Sequence, residues 1–407
     1  MQLQSIARPL TVIALGLLAG WLILATTIDR VFAKGAPRVA LFWNPHSADA
    51  NVRLSDGLLQ DGSLDVDSSR IARHAETSWR RQPINPGAAR LLAVVAAQGG
   101  DATRGQALAM YAESMSRRDV PTQMWLIESN VEHGQVAAAL LHYDRALKAS
   151  NEVRGVLFPI LTAAADAPDI WRPLAGILAT RPQWWRPFVE QFIPRSGSPQ
   201  ALYAIARRTG IDRGPTADAA LLQATEKRLV ELGAYAAAFD LYDRAHGSPR
   251  GTRPRLRNGN FEQPGGWDPF EWNLLDDPDL SAIRQPSPQP KGGSALFLTA
   301  TNGRGGDLAT QLVMLRPGAY AIAATVGSVG GDPVAYPHIV VRCAAGAREL
   351  LDARFPVSGE GGARWMGSFV VPEGCSAQRI LIRATSALEP TSTTPWIDDL
   401  AIRPKGH

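Results

Sequence analysis

Carboxylates are the residues of this chain best suited to chemistry, and their spacing argues against catalysis. Asp276, Asp277 and Asp279 share one Pro-containing stretch, and Asp398 and Asp399 are adjacent in a strand-like run. Glycoside hydrolysis needs two carboxyls facing one cleft at about 5–10 Å. Neighbours on a strand point to opposite faces, so Asp398 and Asp399 are not expected to form such a pair. The seven histidines are dispersed, with none at metal-ligand spacing. No GxSxG, HExxH, P-loop or post-strand GxGxxG occurs. The expectation is a non-catalytic protein, with an unrecognised glycoside hydrolase or lyase as the alternative.

Two cysteines, Cys343 and Cys375, both lie in strand-like sequence of the last third. In an exported protein such a pair forms a disulfide; in a cytosolic one it would be two buried thiols. Export is expected. Leu10 to Ile28 is an uncharged apolar run, close to the length of about 20 residues that a membrane-spanning helix needs. A cleaved signal peptide ending at Val31-Phe32-Ala33 is the competing reading. A single N-terminal span leaves the bulk of the chain outside the cytoplasm. Net charge is +4 over 407 residues. The excess is scattered as single Arg residues and short pairs, whereas nucleic-acid binding needs a concentrated basic stripe, so no such partner is expected.

These residues must be positioned by two kinds of structure. From about Val39 to His246 the periodicity is helical. HGQVAAALLHYDRA (His133 to Ala146) is echoed by LGAYAAAFDLYDRA (Leu232 to Ala245). The two tyrosines, Tyr143 and Tyr242, are three repeats of 33 residues apart. This resembles tetratricopeptide repeats, in which Gly marks the turn, Ala lies where helices touch and an aromatic sits in the second helix. Gly134, Ala139, Tyr143 and Ala146 match one unit, and Gly233, Ala238, Tyr242 and Ala245 another. Between them, Trp171 to Pro194 has too many Pro and Trp for a regular unit. The resemblance implies a solenoid that holds a protein partner, with a structural spacer as the plainer alternative. Trp171, Trp184 and Trp185 line a groove or, as such aromatics more often do, fill a core.

After a Pro/Arg/Gly linker (Ser248 to Arg255) the period changes to two. Runs starting at Ala295, Tyr320, His338, Ile380 and Trp396 read as short strands separated by Gly, Pro and Asn, which predicts an antiparallel sandwich. RNGNFEQPGGW, Arg257 to Trp267, opens this region and WIDDLAI, Trp396 to Ile402, closes it. Together with LRPGAYAIAATV (Leu315 to Val326) they resemble carbohydrate-binding modules with the jelly-roll, galactose-binding-like fold. The resemblance spans nearly all of Leu256 to Pro404. It implies an opening strand with Phe261 pointing inward and a last strand close by. It also implies a structural calcium ion held by Glu262 and Asp399, with Asp398 as a further ligand. Turn-capping or solvated carboxylates are the alternative. Sugar binding needs aromatic faces, for which Trp267, Trp272, Tyr336 and Trp365 are the leading candidates, with Phe270 and Trp396 also available. Each of these is more often core than ligand-facing.

The expected architecture is a multidomain α + β chain. Residues 1–34 form a membrane anchor, 35–250 a tetratricopeptide-like helical domain, and 251–407 a jelly-roll β-sandwich. The expected role is a cell-envelope scaffold in a bacterial inner membrane, its bulk in the periplasm. It would bind a protein partner through the helices and a glycan through the sandwich, in a setting such as exopolysaccharide assembly or export. A pure protein-assembly scaffold is the runner-up.

Overall fold

Helix signals recur along the first part of the chain, and a computed structural model shows what they build. It describes residues 3–60, 68–213, 218–246, 256–387 and 393–405. The Ser248–Arg255 linker lies outside the described residues. Asn85, Asp101, Asp119 and Ser198 each accept a backbone N–H three residues on, which satisfies a donor that the helix itself leaves unpaired. Pro follows the cap directly after Asn85 and Ser198 and one residue later after Asp119, all within the first turn, where its missing N–H costs nothing.

Among the described residues there are fourteen helices. The first eight are α1 (Leu3–Phe32), α2 (Pro37–Trp43), α3 (Ala48–Gln60), α4 (Ser68–Arg81), α5 (Pro86–Gln98), α6 (Ala102–Met115), α7 (Val120–Glu132) and α8 (Val136–Ala149). The remaining six are α9 (Arg154–Ala164), α10 (Pro168–Leu178), α11 (Trp185–Phe192), α12 (Pro199–Thr209), α13 (Ala219–Glu231) and α14 (Tyr235–His246). Helix α1 is long and apolar enough to cross a membrane by length and composition, a test that a signal sequence also passes.

The sequence echo is a structural echo. Gly134 between α7 and α8 has φ +67°, and Gly233 between α13 and α14 has φ +74°. Each turn closes with the same two bonds. Gly134 and Gln135 donate to Val131 O and Asn130 O; Gly233 and Ala234 donate to Val230 O and Leu229 O. Ala139, Ala146, Ala238 and Ala245 are buried, as are Tyr143 and Tyr242. These are two equivalent helix–turn–helix units. Between them the regularity fails, because Pro159 lies inside α9 and Pro173 inside α10, each removing an internal hydrogen bond. Trp184 belongs to the core: its indole N–H donates to Asp144 and its ring lies against Phe158.

Ten strands follow among the described residues: β1 (Asn273–Leu274), β2 (Leu280–Pro286), β3 (Ser294–Ala300), β4 (Gly305–Val313), β5 (Gly318–Gly327), β6 (His338–Cys343), β7 (Glu349–Arg354), β8 (Ala363–Val371), β9 (Gln378–Thr385) and β10 (Trp396–Pro404). They form two five-stranded antiparallel sheets, ordered β1-β4-β9-β6-β7 and β2-β3-β10-β5-β8. Alternate residues of both sheets fill one core, including Leu296, Ile322, Ile339, Ile380 and Ile397, all fully buried. Each such side chain contributes about 1.5–3 kcal/mol. Cys343 and Cys375 form a disulfide within this core cluster.

The segment Asn258–Trp267 departs from the expected opening strand. It is a turn in which Asn258 and Phe261 adopt left-handed φ values of 48° and 53°. Phe261 still enters the core, and Gly259 closes on the last strand by accepting from Leu400 N. A Cβ at Gly259 would lie 1.9 Å from Leu400 O, which is why glycine stands there.

The compact units do not divide at the linker. One comprises Met1–Leu161 with Pro182–Trp184; the other comprises Thr162–Arg181 with Trp185–His407. The second unit therefore holds the last helices and the sandwich together.

Candidate functional site

Of the four aromatic residues singled out for stacking on a sugar, three are spent on structure. Trp272 is 1% exposed, packs on Phe261 at 5.6 Å and donates from its indole to Asn258 O. Trp365 lies inside the sandwich edge-on to Phe355. Trp267 faces helices of its own unit: its indole N–H donates to Glu226 Oε2 at 2.6 Å, and its ring meets His246 at 4.5 Å. Trp272 and Trp365 are buried, and the half-buried Trp267 is tied to Glu226 and His246 of the helices.

Tyr336 is different. It is half-buried at one end of the sandwich, where three connections converge: β3 to β4, β5 to β6, and β9 to β10. Between them lies a cleft of about 530 Å³. Its walls carry the hydroxyls of Thr299, Thr301, Thr385, Ser386 and Thr394, the amide of Asn302 and the ring of Tyr336. None of the described lining residues is charged. Asn302 is held with φ +54° and donates to Asp279 Oδ1 at 2.6 Å. Tyr336 O–H donates to Gly331 O at 3.3 Å. Its one local trace in the sequence is the Ser/Thr-rich connection between β9 and β10.

The carboxylates behave differently from expectation. Asp277 and Asp279 both pair with Arg304, which holds the Asp279 carboxyl below its usual range after the stronger pull of Asn302. A register shift in β10 between Asp398 and Ala401, with Asp399 at φ +52°, turns Asp398 and Asp399 toward one group rather than to opposite faces. That group is the Lys291 ammonium, 3.6 Å from Asp398 and paired with Asp399. Asp398 also accepts from Gln289 Nε2 at 2.6 Å, and Glu262 accepts from Ser294 N at 2.9 Å. Calcium takes six to eight hard oxygens. Here a lysine supplies the cation, and no cluster of three metal-ligating side chains occurs among the described residues. The residues therefore do not fit a calcium site. Burial raises the Asp398 carboxyl above its usual range, the desolvation outweighing the help from its donors.

The rest of the Gly-Gly-Trp motif forms a seam between helices and sandwich within the second unit. Phe270 sits 5.5 Å from Phe239 and 5.2 Å from Tyr242. Tyr242 O–H donates to Glu271 at 2.7 Å, and Arg257 lies over the Tyr242 ring. Lys227 pairs with Asp268 at 2.9 Å, and Gln223 donates to the carbonyls of Gly266 and Asp268. Glu226 is fully buried among these groups, and burial drives its pKa from 4.5 up to about 8.

No protein-family model matches the chain, and no curated protein matches it. Solved structures do, and the likenesses lie in the C-terminal β part. A carbohydrate-binding module, CBM4, is 15% identical with a TM-score of 0.28, covering 37% of this chain and 99% of its own. TmCBM61, solved with β-1,4-galactotriose, is 17% identical with a TM-score of 0.27, covering 38% of this chain and 100% of its own. The enzymatically active domain of bacteriophage CBA120 tailspike protein 4 is 13% identical with a TM-score of 0.29 over 37% of this chain; the match spans 21% of the tailspike chain.

Proposed function

We propose that this protein is a non-catalytic binding protein, anchored by α1, whose sandwich holds a neutral stretch of glycan in the loop-end cleft. The observation that carries this reading is the lining: Thr and Ser hydroxyls, one amide and one phenol ring among small apolar residues, with no charge among the described residues. Sugar hydroxyls are both donors and acceptors, and neutral hydroxyl and amide groups meet them in either sense. A tyrosine ring adds an apolar face with a polar tip. The helices would present their surface to a protein partner, in a setting such as envelope polysaccharide assembly or export. One observation favours a second reading. Met366 and Val370 stand 76% and 63% exposed on β8, an edge strand, as a protein-docking face would.

A glycan array followed by calorimetry on the detergent-solubilised full chain tests the first reading. The expected result is saturable binding of an uncharged polysaccharide that weakens about tenfold or more in Tyr336→Ala and in Asn302→Ala, with circular dichroism unchanged. Binding of no glycan, or binding indifferent to both substitutions, removes the reading and leaves the protein-assembly scaffold.

A further inference from the structure

At the C-terminal end of α12 a second cleft, of about 630 Å³, has a different chemistry. Arg181, Arg207, Arg208 and Arg213 line it, with only Ala179, Thr209 and Gly210 besides. Basic residues in the last turn of a helix complement its dipole, which accounts for Arg207 and Arg208 alone. Arg181 reaches the same cleft from the turn after α10, and Arg213 from beyond the end of α12.

Two of the four guanidiniums are fixed. Arg181 donates to Thr209 O at 2.9 Å and to Asp218 at 2.8 Å, and it lies over the Trp185 ring at 4.7 Å. Arg207 pairs with buried Asp212 at 2.5 Å. The other two have no side-chain partner among the described residues. Arg213 nonetheless folds back over the turn: a Cβ on Gly210, where φ is +70°, would come within 3.1–3.4 Å of its guanidinium stem and head. The cleft thus gathers four like charges and no carboxylate of its own, with Asp218 and Asp212 each shared with a further arginine, Arg186 and Arg244.

We propose that this cleft binds an oxyanion, a carboxylate or phosphate group carried by a ligand. A guanidinium fork matches two oxygens of such a group, and the two fixed arginines present theirs without further ordering. Arg208 and Arg213 supply the charge that the protein leaves uncompensated. This site is separate from the neutral cleft and does not depend on it.

The test is calorimetric titration of the full chain at low ionic strength with two probes, inorganic phosphate and oligogalacturonate. Arg208→Gln/Arg213→Gln is compared with Arg117→Gln/Arg118→Gln, which removes the same charge from exposed positions after α6. Both pairs are exposed, so folding is expected to persist and circular dichroism checks it. The proposal expects binding of at least one probe, weakened about tenfold or more by the α12 double variant and little by the control. Binding of oligogalacturonate alone identifies a polymer carboxylate, and binding of phosphate alone a phosphate group. Binding of neither probe overturns the proposal. So does equal weakening by the two variants, because net charge alone would then explain the result.

Discussion

Loss of the Glu226 proton should make the second unit lose stability as pH rises, and the size follows from its burial. Its carboxyl is fully buried; Oε2 accepts from Trp267, and Oε1 has no partner among the described residues. Desolvation raises its pKa from 4.5 to about 8, the nearby Glu271 charge adds to this, and the Trp267 bond opposes it. Around the same seam lie the Lys227–Asp268 pair, Arg257 over the Tyr242 ring, and the His246 ring against Trp267. In the unfolded chain the carboxyl ionises near 4.5; in the folded chain it keeps its proton to about 8. Between those values the folded state binds more protons, so stability falls by about 1.4 kcal/mol per pH unit. The contribution is fully present below pH 4.5 and gone above about pH 8, which sums to an order of 4–5 kcal/mol. Glu226→Gln has no proton to lose. Urea-dependent hydrogen exchange, read on β5 and β10 peptides of the full chain, isolates this unit from the other. The wild-type protein should lose at least about 2–3 kcal/mol more than Glu226→Gln between pH 5.5 and 8.5, and the variant should be the more stable at the upper end. Parallel curves for the two proteins would refute the reasoning, because a carboxyl that titrates normally in the folded state gives no difference.

Three further outcomes follow from the sandwich. Gly259→Ala should destabilise it by about 2–3 kcal/mol or more, because the new methyl meets Leu400 O, while exposed Asn260→Ala should stay within about 0.5 kcal/mol; urea unfolding compares the two. Replacing Cys343 and Cys375 by Ala should cost about 3–4 kcal/mol, since the bridge closes a loop with a sequence separation of 32; the same loss should appear on reduction of the wild-type protein in the same denaturation assay. Calcium and chelator should leave the melting temperature unchanged, whereas Lys291→Met should lower it by leaving Asp398 buried without its cation; a calcium-dependent rise in the wild type would contradict the lysine-filled arrangement.

Much of the fold can be read from local pattern. The runs starting at His338 and Trp396 coincide with β6 and β10, because their β-branched and aromatic residues mark a strand even where burial does not alternate. Gly134 and Gly233 were legible as turns because only glycine tolerates their φ cheaply. Strands β1, β2, β4, β7 and β8 escape the sequence: β1 is two residues long, β4 opens on Gly-Gly, and β8 carries exposed Met366 and Val370 at positions where polar residues would have marked an outer face. The site was harder to read. A tryptophan's spacing says nothing about whether a helix will cover it, which is what happens to Trp267. Nor does a strand pattern reveal a bulge, and the bulge at Asp399 is what brings two neighbouring carboxylates to one lysine. The loop-end cleft depends on three connections meeting from distant parts of the chain, and no local motif encodes that.

The segment RNGNFEQPGGW accordingly serves two partners. Its first half closes the sandwich, through Gly259 on Leu400 and Phe261 in the core. Its second half turns outward, and together with Asp268 and Phe270 it grips α13 and α14. A fragment beginning at residue 251 keeps the first set of contacts and loses the second. Phe270, 1% exposed in the whole unit, would then lie bare beside Trp267. Such an apolar patch invites association. The fragment is therefore expected to bind a hydrophobic dye and to self-associate at concentrations where residues 162–407 stay monomeric by sedimentation. Equal behaviour of the two pieces would mean that the seam contributes little, and the sandwich could then be treated as a free-standing module. If the fragment associates as expected, any ligand it captures through the bared seam is an artefact of the cut, and binding must be measured on chains that retain α13 and α14.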